Sequence, residues 1–507
     1  MQKETSASEA AALVETGDTV LITGSGGGLM DADHVYQGLE ERFLSTDRPR
    51  DLTLIHATGI GTREHTGLSR FAHEGLVRRV IGGHWAWSPE MIDLALDEKI
   101  EAYNLPQGVL SLLTRETAAG RPGLLTSVGL HTFVDPNQSG GKLNERTTEA
   151  LVERTTVDGE ERLFYRSLPV DVTILRGTTA DERGNVSVEQ EAADLDVLSA
   201  AQAAKRNGGT VIAQVKRLAE AGSLPPRSVK VPSPLTDAVV VHPDQWQTVE
   251  EPYNPSFSGE LRTPVGELPP LDFGLRKIVA RRAARELRPE TVVNLGFGIS
   301  DGVANVAAEQ DALDDVTFSI EQGLIGGIPA KGDIFGASYN PEAIVDATHQ
   351  FDFYHGGGLD LTFLGMAQVD AHGHVNVSKF GQQLPGCGGF IDISQNTPEV
   401  VFCGGFTAGG LEVDVSEGRL SIETEGRIPK FVSDVEHVTF NGDYAHQQGQ
   451  RVLYVTERAV FRLRDEGLEL VEIAPGVDLE ADVLDQMDFT PDVSPSLSRM
   501  DSQIFRP

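Results

Sequence analysis

Apolar and polar positions along this chain follow two rhythms that keep replacing each other. Short apolar runs of strand type end in glycines, as in "DTVLITGSGGG" from Asp18. Segments with apolar residues every third or fourth position follow them, as in "DADHVYQGLEERFL" from Asp31. "DLTLIHATGIG" from Asp51 starts the next cycle. Strand runs alternating with helical periodicity predict parallel sheets with crossover helices, an α/β fold. Towards the end, "RVLYVTERAVFRLRDEGLELVEIAPG" from Arg451 predicts strands joined by tight turns, and "DLEADVLDQM" a closing helix.

The pattern is used twice. Thr19 to Gly26 resembles Thr291 to Gly298, and "DVTILRGTTADERGNVSV" from Asp171 resembles "DLTFLGMAQVDAHGHVNV" from Asp360. In the second pair Asp, Thr, Leu, Asp, Gly, Val and Val recur at one spacing, and Asp-x-x-Gly predicts a turn between two strands. Two homologous open α/β domains follow, the first with a longer middle that holds "GGHWAWSPEMIDLAL" and "YNLPQGVLSLL". The stretch from Pro243 to Phe273 is rich in Pro, Gly and Ser, lacks periodicity and carries aromatics that predict packing along the surface. It sets domains at 1–257 and 273–507 with a linker at 258–272. "GLRKIVARRAARELR" from Gly274 reads as a basic amphipathic helix exposing Arg to solvent.

At 507 residues the chain is too long for one core. Asp plus Glu number 76 against 42 for Lys plus Arg, a formal net charge of −34. Such a surface suits a salt-rich, halophilic cytoplasm and disfavours nucleic acid as a partner. The absence of a long apolar run or a basic-then-apolar leader predicts a cytoplasmic protein without membrane association. Two cysteines, Cys387 and Cys403, make neither a disulfide framework nor a zinc site.

Candidate chemistry gathers in glycine-rich places. "GSGGG" at Gly24 and "LGFGIS" at Leu295 each follow a strand and precede a helix, where backbone N–H groups can meet an anion. Neither is a full dinucleotide fingerprint, and no P-loop occurs. "DDVTFSIEQG" puts Glu321 at the carboxyl end of a strand, where α/β sheets hold their ligands. Gly323, Gly326 and Gly327 then read as keeping bulk away from it. In "FGQQLPGCGGFIDIS", Gly386, Gly388 and Gly389 could aim N–H groups at an oxyanion, with Cys387 a small packed residue. His355 reads as a loop or core histidine. No histidine shows metal-type spacing, so no metal is expected.

Three stretches carry a resemblance: Ser319 to Gly381, "GCGGFIDISQ" from Gly386 and "VVFCGGFTAGG" from Val400. They resemble the second half of the family I coenzyme A transferases, closest to fused-chain acetate/propionate CoA-transferases. "NLPQGVLSLL", "GLHTFVDPNQSGGKLN" and "YVTERAVFRL" fit the same group. The resemblance spans nearly the whole chain. It implies an α-like and a β-like half of the CoA-transferase/ribose-phosphate-isomerase-like fold, and a homo-oligomer (dimer or tetramer). It implies coenzyme A as substrate with no separate cofactor, and acyl-CoA plus a short-chain carboxylate as reactants. It places the nucleophile at Glu321, coenzyme A contacts at Gly296, Phe297, Gly298, Ile299 and Ser300 and at Gly386, Gly388 and Gly389, and Gln107 near the acyl group. Ile-Glu-Gln-Gly replaces the Ser-Glu-Asn-Gly of ketoacid-type members, which points to short monocarboxylates. An acyl-CoA hydrolase using the same Glu and a non-catalytic metabolite sensor are the rival readings.

Overall fold

The computed structural model describes residues 3–264 and 270–507. Met1 and Gln2 of the N-terminal segment and residues 265–269 of the expected linker lie outside the described residues. Each half is built on a ten-stranded sheet. In the first, the main path runs 4–5, 238–241, 210–219, 172–181, 19–22, 52–56, 77–82, 101–104, parallel throughout. Its strand Val172–Asp181 is buried at all ten positions, as a central parallel strand covered on both faces should be. The second sheet is parallel through its middle, from 316–320 across 291–295, 361–365 and 399–403 to 451–455. The hairpin strands 459–464 and 467–473 extend it, as the sequence predicts.

The repeat holds, shifted by one residue in its first pair. Asp171 Oδ2 accepts the Thr19 N–H at 2.9 Å, and Asp360 Oδ2 accepts the Val292 N–H at 2.8 Å. Thr19 therefore matches Val292 and not Thr291. Both Asp-x-x-Gly turns form, with Asp181 Oδ1 accepting the N–H of Arg183 and Asn185, and Asp370 Oδ1 those of His372 and His374. Leu21 pairs with Ile55 as Asn294 pairs with Ser319, so counting two residues onward sets Ala57 in the place that Glu321 holds in the second half.

In both halves the chain steps to one side of the first long strand and later returns to the other side. The carboxyl ends of 19–22 and 172–181, and of 291–295 and 361–365, therefore flank a crevice. The two crevices meet. Ile320, Leu324, Phe335, Cys387 and Ile391 of the second half join the core of Tyr103, Leu110 and Leu113 of the first. Backbone bonds cross as well, including Trp85 N–H to the Pro385 carbonyl at 2.7 Å and Phe133 N–H to the Val438 carbonyl at 2.8 Å. The aromatic-rich connection packs down as expected: Phe257 is fully buried, and the Asn340 side chain bonds both the N–H and the carbonyl of Thr263.

Two expectations change. The basic segment divides: Arg285 and Arg288 are half exposed as expected, but Arg282 of the helix Leu275–Ala283 is buried and bridges Glu472 and Glu286. "DLEADVLDQM" makes only a four-residue helix, Leu479–Asp482, because the backbone leaves helical geometry at Val483, which turns into the core. The strand Asp492–Arg499 pairs beyond it with 467–473.

Candidate active site

Where the crevices meet lies a cavity of about 350 Å³. Glu321 enters it directly after the strand Val316–Ile320, whose Phe318 and Ile320 are buried. The following glycines serve the chain's own reversal. Ile320 pairs antiparallel with Leu324 across Glu321, and a Cβ on Gly323 (φ +101°) would lie 2.0 Å from the Val345 carbonyl oxygen. Gly326 and Gly327 are packed as closely, against Glu342 and Tyr339. They do not clear space for a ligand; they let the backbone fold back so that the Glu321 side chain alone projects.

Glu321 is only partly open to the cavity, and its Oε2 is shielded from water with no hydrogen-bond partner among the described residues. Burial pushes the carboxyl up to about 7, partly offset by its own backbone amide and by the Gln322 and Asn294 side chains, while the Asp392 charge adds to the rise. A carboxylate stripped of water, with one oxygen left unpaired, is a more reactive nucleophile than one in solvent.

Gln107 opens the helix Gln107–Ala118 after Pro106, whose ring presets the entry to the first turn. Its N–H donates to the Gly388 carbonyl at 2.9 Å, and the next N–H, of Gly108, donates to Asp392 Oδ2 at 3.0 Å. Both bonds cross between halves and fix Gln107 in the cavity wall. Its Nε2 is a buried donor without a partner among the described residues. The N–H of Gly388 is engaged by the Gly83 carbonyl at 2.8 Å, and that of Gly386 by the Ser378 carbonyl at 3.0 Å. The oxyanion donor expected at Gly388 is thus taken, and Gly388 acts through its carbonyl, by holding Gln107. The amide of Gly389 donates to no group among the described residues. A Cβ at Gly389 would stand 3.5 Å from Glu321 Cγ, so this glycine lies beside the nucleophile.

Of the expected coenzyme A loop, Gly296 and Phe297 line the cavity, and Phe297 is half exposed at its mouth. Gly298, Ile299 and Ser300 do not line it. Ser300 is buried, and its Oγ donates to the Gly296 carbonyl at 2.8 Å, which pins the loop instead of offering a ligand contact. Arg276 Nη2 donates to the Gly298 carbonyl at 2.8 Å and pairs with Asp301, and the charge of Arg276 also helps lower the Lys331 ammonium, behind the larger effect of burial. Two cations therefore stand by this loop on an otherwise acidic protein.

The first half supplies a wall of which the sequence motifs revealed only the GSGGG loop. Ser25, Gly26, Thr58, Gly59, His84 and Trp87 line the cavity opposite Phe297, Leu364 and Met366. Burial, then the charges of His56 and Arg63, pushes His84 down to about 4, so it is neutral at physiological pH. Gln322, next to Glu321, donates to Ser25 Oγ at 3.4 Å. The signal available was the run Gly-Gly-His-Trp-Ala-Trp itself, large rings set directly against glycines.

Cys387 is a packed residue: its N–H donates to Asn104 Oδ1 at 2.9 Å and burial pushes its thiol well up. His355 closes the helix Ala347–His355 and bonds the buried Asp392 at 2.8 Å. Glu40, His65 and His73 come together in space though not in sequence, their ligand-type atoms within 4.8 Å. Each imidazole Nε2 faces Glu40 Oε1, and Arg70 takes Oε2 at 3.1 Å, a closed hydrogen-bond hub.

The family model described as Coenzyme A transferase matches residues 4–242. The chain is 46% identical over 501 residues to acetate CoA-transferase YdiF of Escherichia coli O157:H7, covering 99% of this chain and 94% of that protein. It is 47% identical over 513 residues to caffeate CoA-transferase of Acetobacterium woodii, covering 100% and 98%. The crystal structure of E. coli O157:H7 acyl-CoA transferase YdiF as a thioester complex with CoA superposes with a TM-score of 0.94 at 44% identity, over 99% of this chain and 96% of that one. With the likeness running end to end, this chain belongs to the coenzyme A transferase family.

Proposed function

We propose that this protein transfers coenzyme A reversibly from a short-chain acyl-CoA to a free carboxylate such as acetate, through coenzyme A carried covalently on Glu321. The observation that carries the reading is Glu321 Oε2, unpaired among the described residues, in a cavity that also holds the unpaired donor Gln107 Nε2 and is lined by Gly389, whose N–H donates to no group among the described residues. Glu321 attacks the thioester carbonyl and expels the thiolate, forming a mixed anhydride. The thiolate then attacks the glutamyl carbonyl, releasing the first carboxylate and leaving a glutamyl thioester. A second carboxylate enters and the steps reverse. The thioester bond energy is kept, and each addition creates an oxyanion for which the two donors are free. The pantetheine arm enters past Phe297, and Arg276 and Lys331 face the anionic end of the nucleotide.

Incubation with propionyl-CoA and no acceptor tests this by mass spectrometry of the Glu321 peptide. Covalent coenzyme A on that peptide is the expected result. Continuous release of free coenzyme A would mark a hydrolase, and no reaction a sensor.

Two further results are expected. Only the ionised carboxyl attacks, so kcat/KM for acyl-CoA should rise with pH through about 7 and level above it. An acid limb near the ordinary glutamate value would show that Glu321 is solvated in the working enzyme. With a net charge of −34 and anionic substrates, kcat/KM should also rise several-fold between about 0.1 and 1 M salt as screening shortens to about 3 Å. A monotonic fall would count against a salt-adapted surface. The two relatives carry different acids in their names, acetate and caffeate, so acceptor size has to be argued from this cavity.

A further inference from the structure

We propose that Trp87 sets the length limit of the acyl group, and that a strap between the halves holds its ring in place. The proposal rests on the transfer reaction above and concerns which acids that reaction accepts. Trp87 lies between the strand Val77–Gly82 and the helix Pro89–Leu96. Its indole fills a notch that exists because two residues lack a Cβ. A Cβ on Gly26 would stand 2.0 Å from the indole Nε1, and one on Gly59 would stand 2.4 Å from Cδ1. The residue is 7% exposed, and it lines the cavity beside Ser25, His84 and Ala86.

This places the indole on the acyl side. Ser25 is bonded to Gln322, the neighbour of Glu321. A Cβ on Gly388 would lie 3.5 Å from His84 Cδ2 and 3.8 Å from Gln107 Oε1, so His84 and Gln107 are neighbours across that glycine. Ser25, Trp87, His84 and Gln107 thus surround the nucleophile from the first half. The second half contributes the opposite wall and the mouth at Phe297. A thioester that enters past Phe297 and meets Glu321 at its carbonyl directs its acyl chain towards the indole.

The ring has little freedom to yield. The Arg63 guanidinium stacks over it at 4.3 Å, and the Arg63 N–H donates to the Trp87 carbonyl at 3.0 Å. Arg63 Nη1 pairs at 2.6 Å with Asp333 of the other half, on a loop so close that a Cβ on Gly27 would meet the Asp333 carbonyl oxygen. A half-exposed ion pair adds little stability, but here it fixes the plane of a guanidinium and through it an indole. Acetyl and propionyl groups stop short of this flat wall. A hexanoyl chain or an aryl acid runs into it.

The test compares wild type with Trp87→Leu, Trp87→Ala and Arg63→Ala, with propionyl-CoA as donor and acetate, propionate, hexanoate and cinnamate as acceptors. The readout is the ratio of kcat/KM for hexanoate to that for acetate, which a general loss of activity does not move. Truncating Trp87 should raise the ratio about 10-fold or more, the range that added methylenes command in an apolar pocket. Arg63→Ala, which leaves the indole but frees it, should move the ratio the same way by less, and it serves should the Trp87 variants fail to fold. An unchanged ratio in folded variants overturns the gate, as does wild type using hexanoate and cinnamate as readily as acetate. Mass spectrometry of the Glu321 peptide separates the two layers: without covalent coenzyme A in wild type the transfer reading itself fails, and with it present an unmoved ratio removes the gate alone.

Discussion

Replacing Glu321 with Gln should lower transfer at least about 1000-fold, because no other side chain in the cavity can form the anhydride. Glu321→Asp should also fail, by about 100-fold or more, since a carboxylate drawn back by one methylene no longer reaches the thioester carbonyl. Neither variant should disturb the fold, and for Glu321→Gln the opposite is expected. A carboxyl raised from 4.5 to about 7 in the folded protein binds its proton more tightly there than in the unfolded chain. Wild type therefore loses stability as pH rises from about 4.5 to 7, by at most about 3 kcal/mol for this group. Glu321→Gln has no such loss. Thermal melting at pH 8 should show the variant above wild type, with the gap closing by pH 4.5. Activity gone and melting temperature raised is the combined signature; a variant that retained transfer would remove Glu321 from the mechanism.

The second large effect is expected at Gln107. Its Nε2 is a buried donor with no partner among the described residues, so no contact described in the fold depends on it. Gln107→Ala should cost about 100- to 1000-fold in kcat, as losing one oxyanion donor does elsewhere. Formation of the glutamyl thioester followed by rapid quench would slow by the same factor, while Tm changes little. If kcat held and only KM rose, Gln107 would be a binding residue and the Gly389 amide would carry the oxyanion by itself.

Much of this was legible in the sequence, for identifiable reasons. Glu321 stood out because a strand-type run ended on it and glycine followed, and strand ends in α/β sheets are local features. The Asp171 and Asp360 stretches aligned without gaps because the same capping acid and the same Asp-x-x-Gly turn were needed twice. The first repeat pair slipped by one because strand residues are interchangeable, and only the hydrogen bond to Asp360 fixes which amide matches Thr19. The glycines misled more. Gly323 and Gly327 accommodate backbone passing nearby, Gly326 accommodates the Glu342 side chain, and Gly388 spends its amide on Gly83, a partner 305 positions away in sequence. Trp87 and His84 went unnoticed for the same reason: they belong to the site only because the other half closes over them. Arg282 carried no sign of burial, since Glu472 lies on a strand formed much later in the chain.

The match of Ala57 with Glu321 has a consequence for how such an enzyme can be assembled. Two identical lobes docked face to face would have to carry the same residue at both places, and two acids crowded about one crevice cannot both ionise at neutral pH. Joining unlike lobes in one polypeptide lifts that symmetry, so one arm can keep the reactive acid while its twin becomes inert scaffolding.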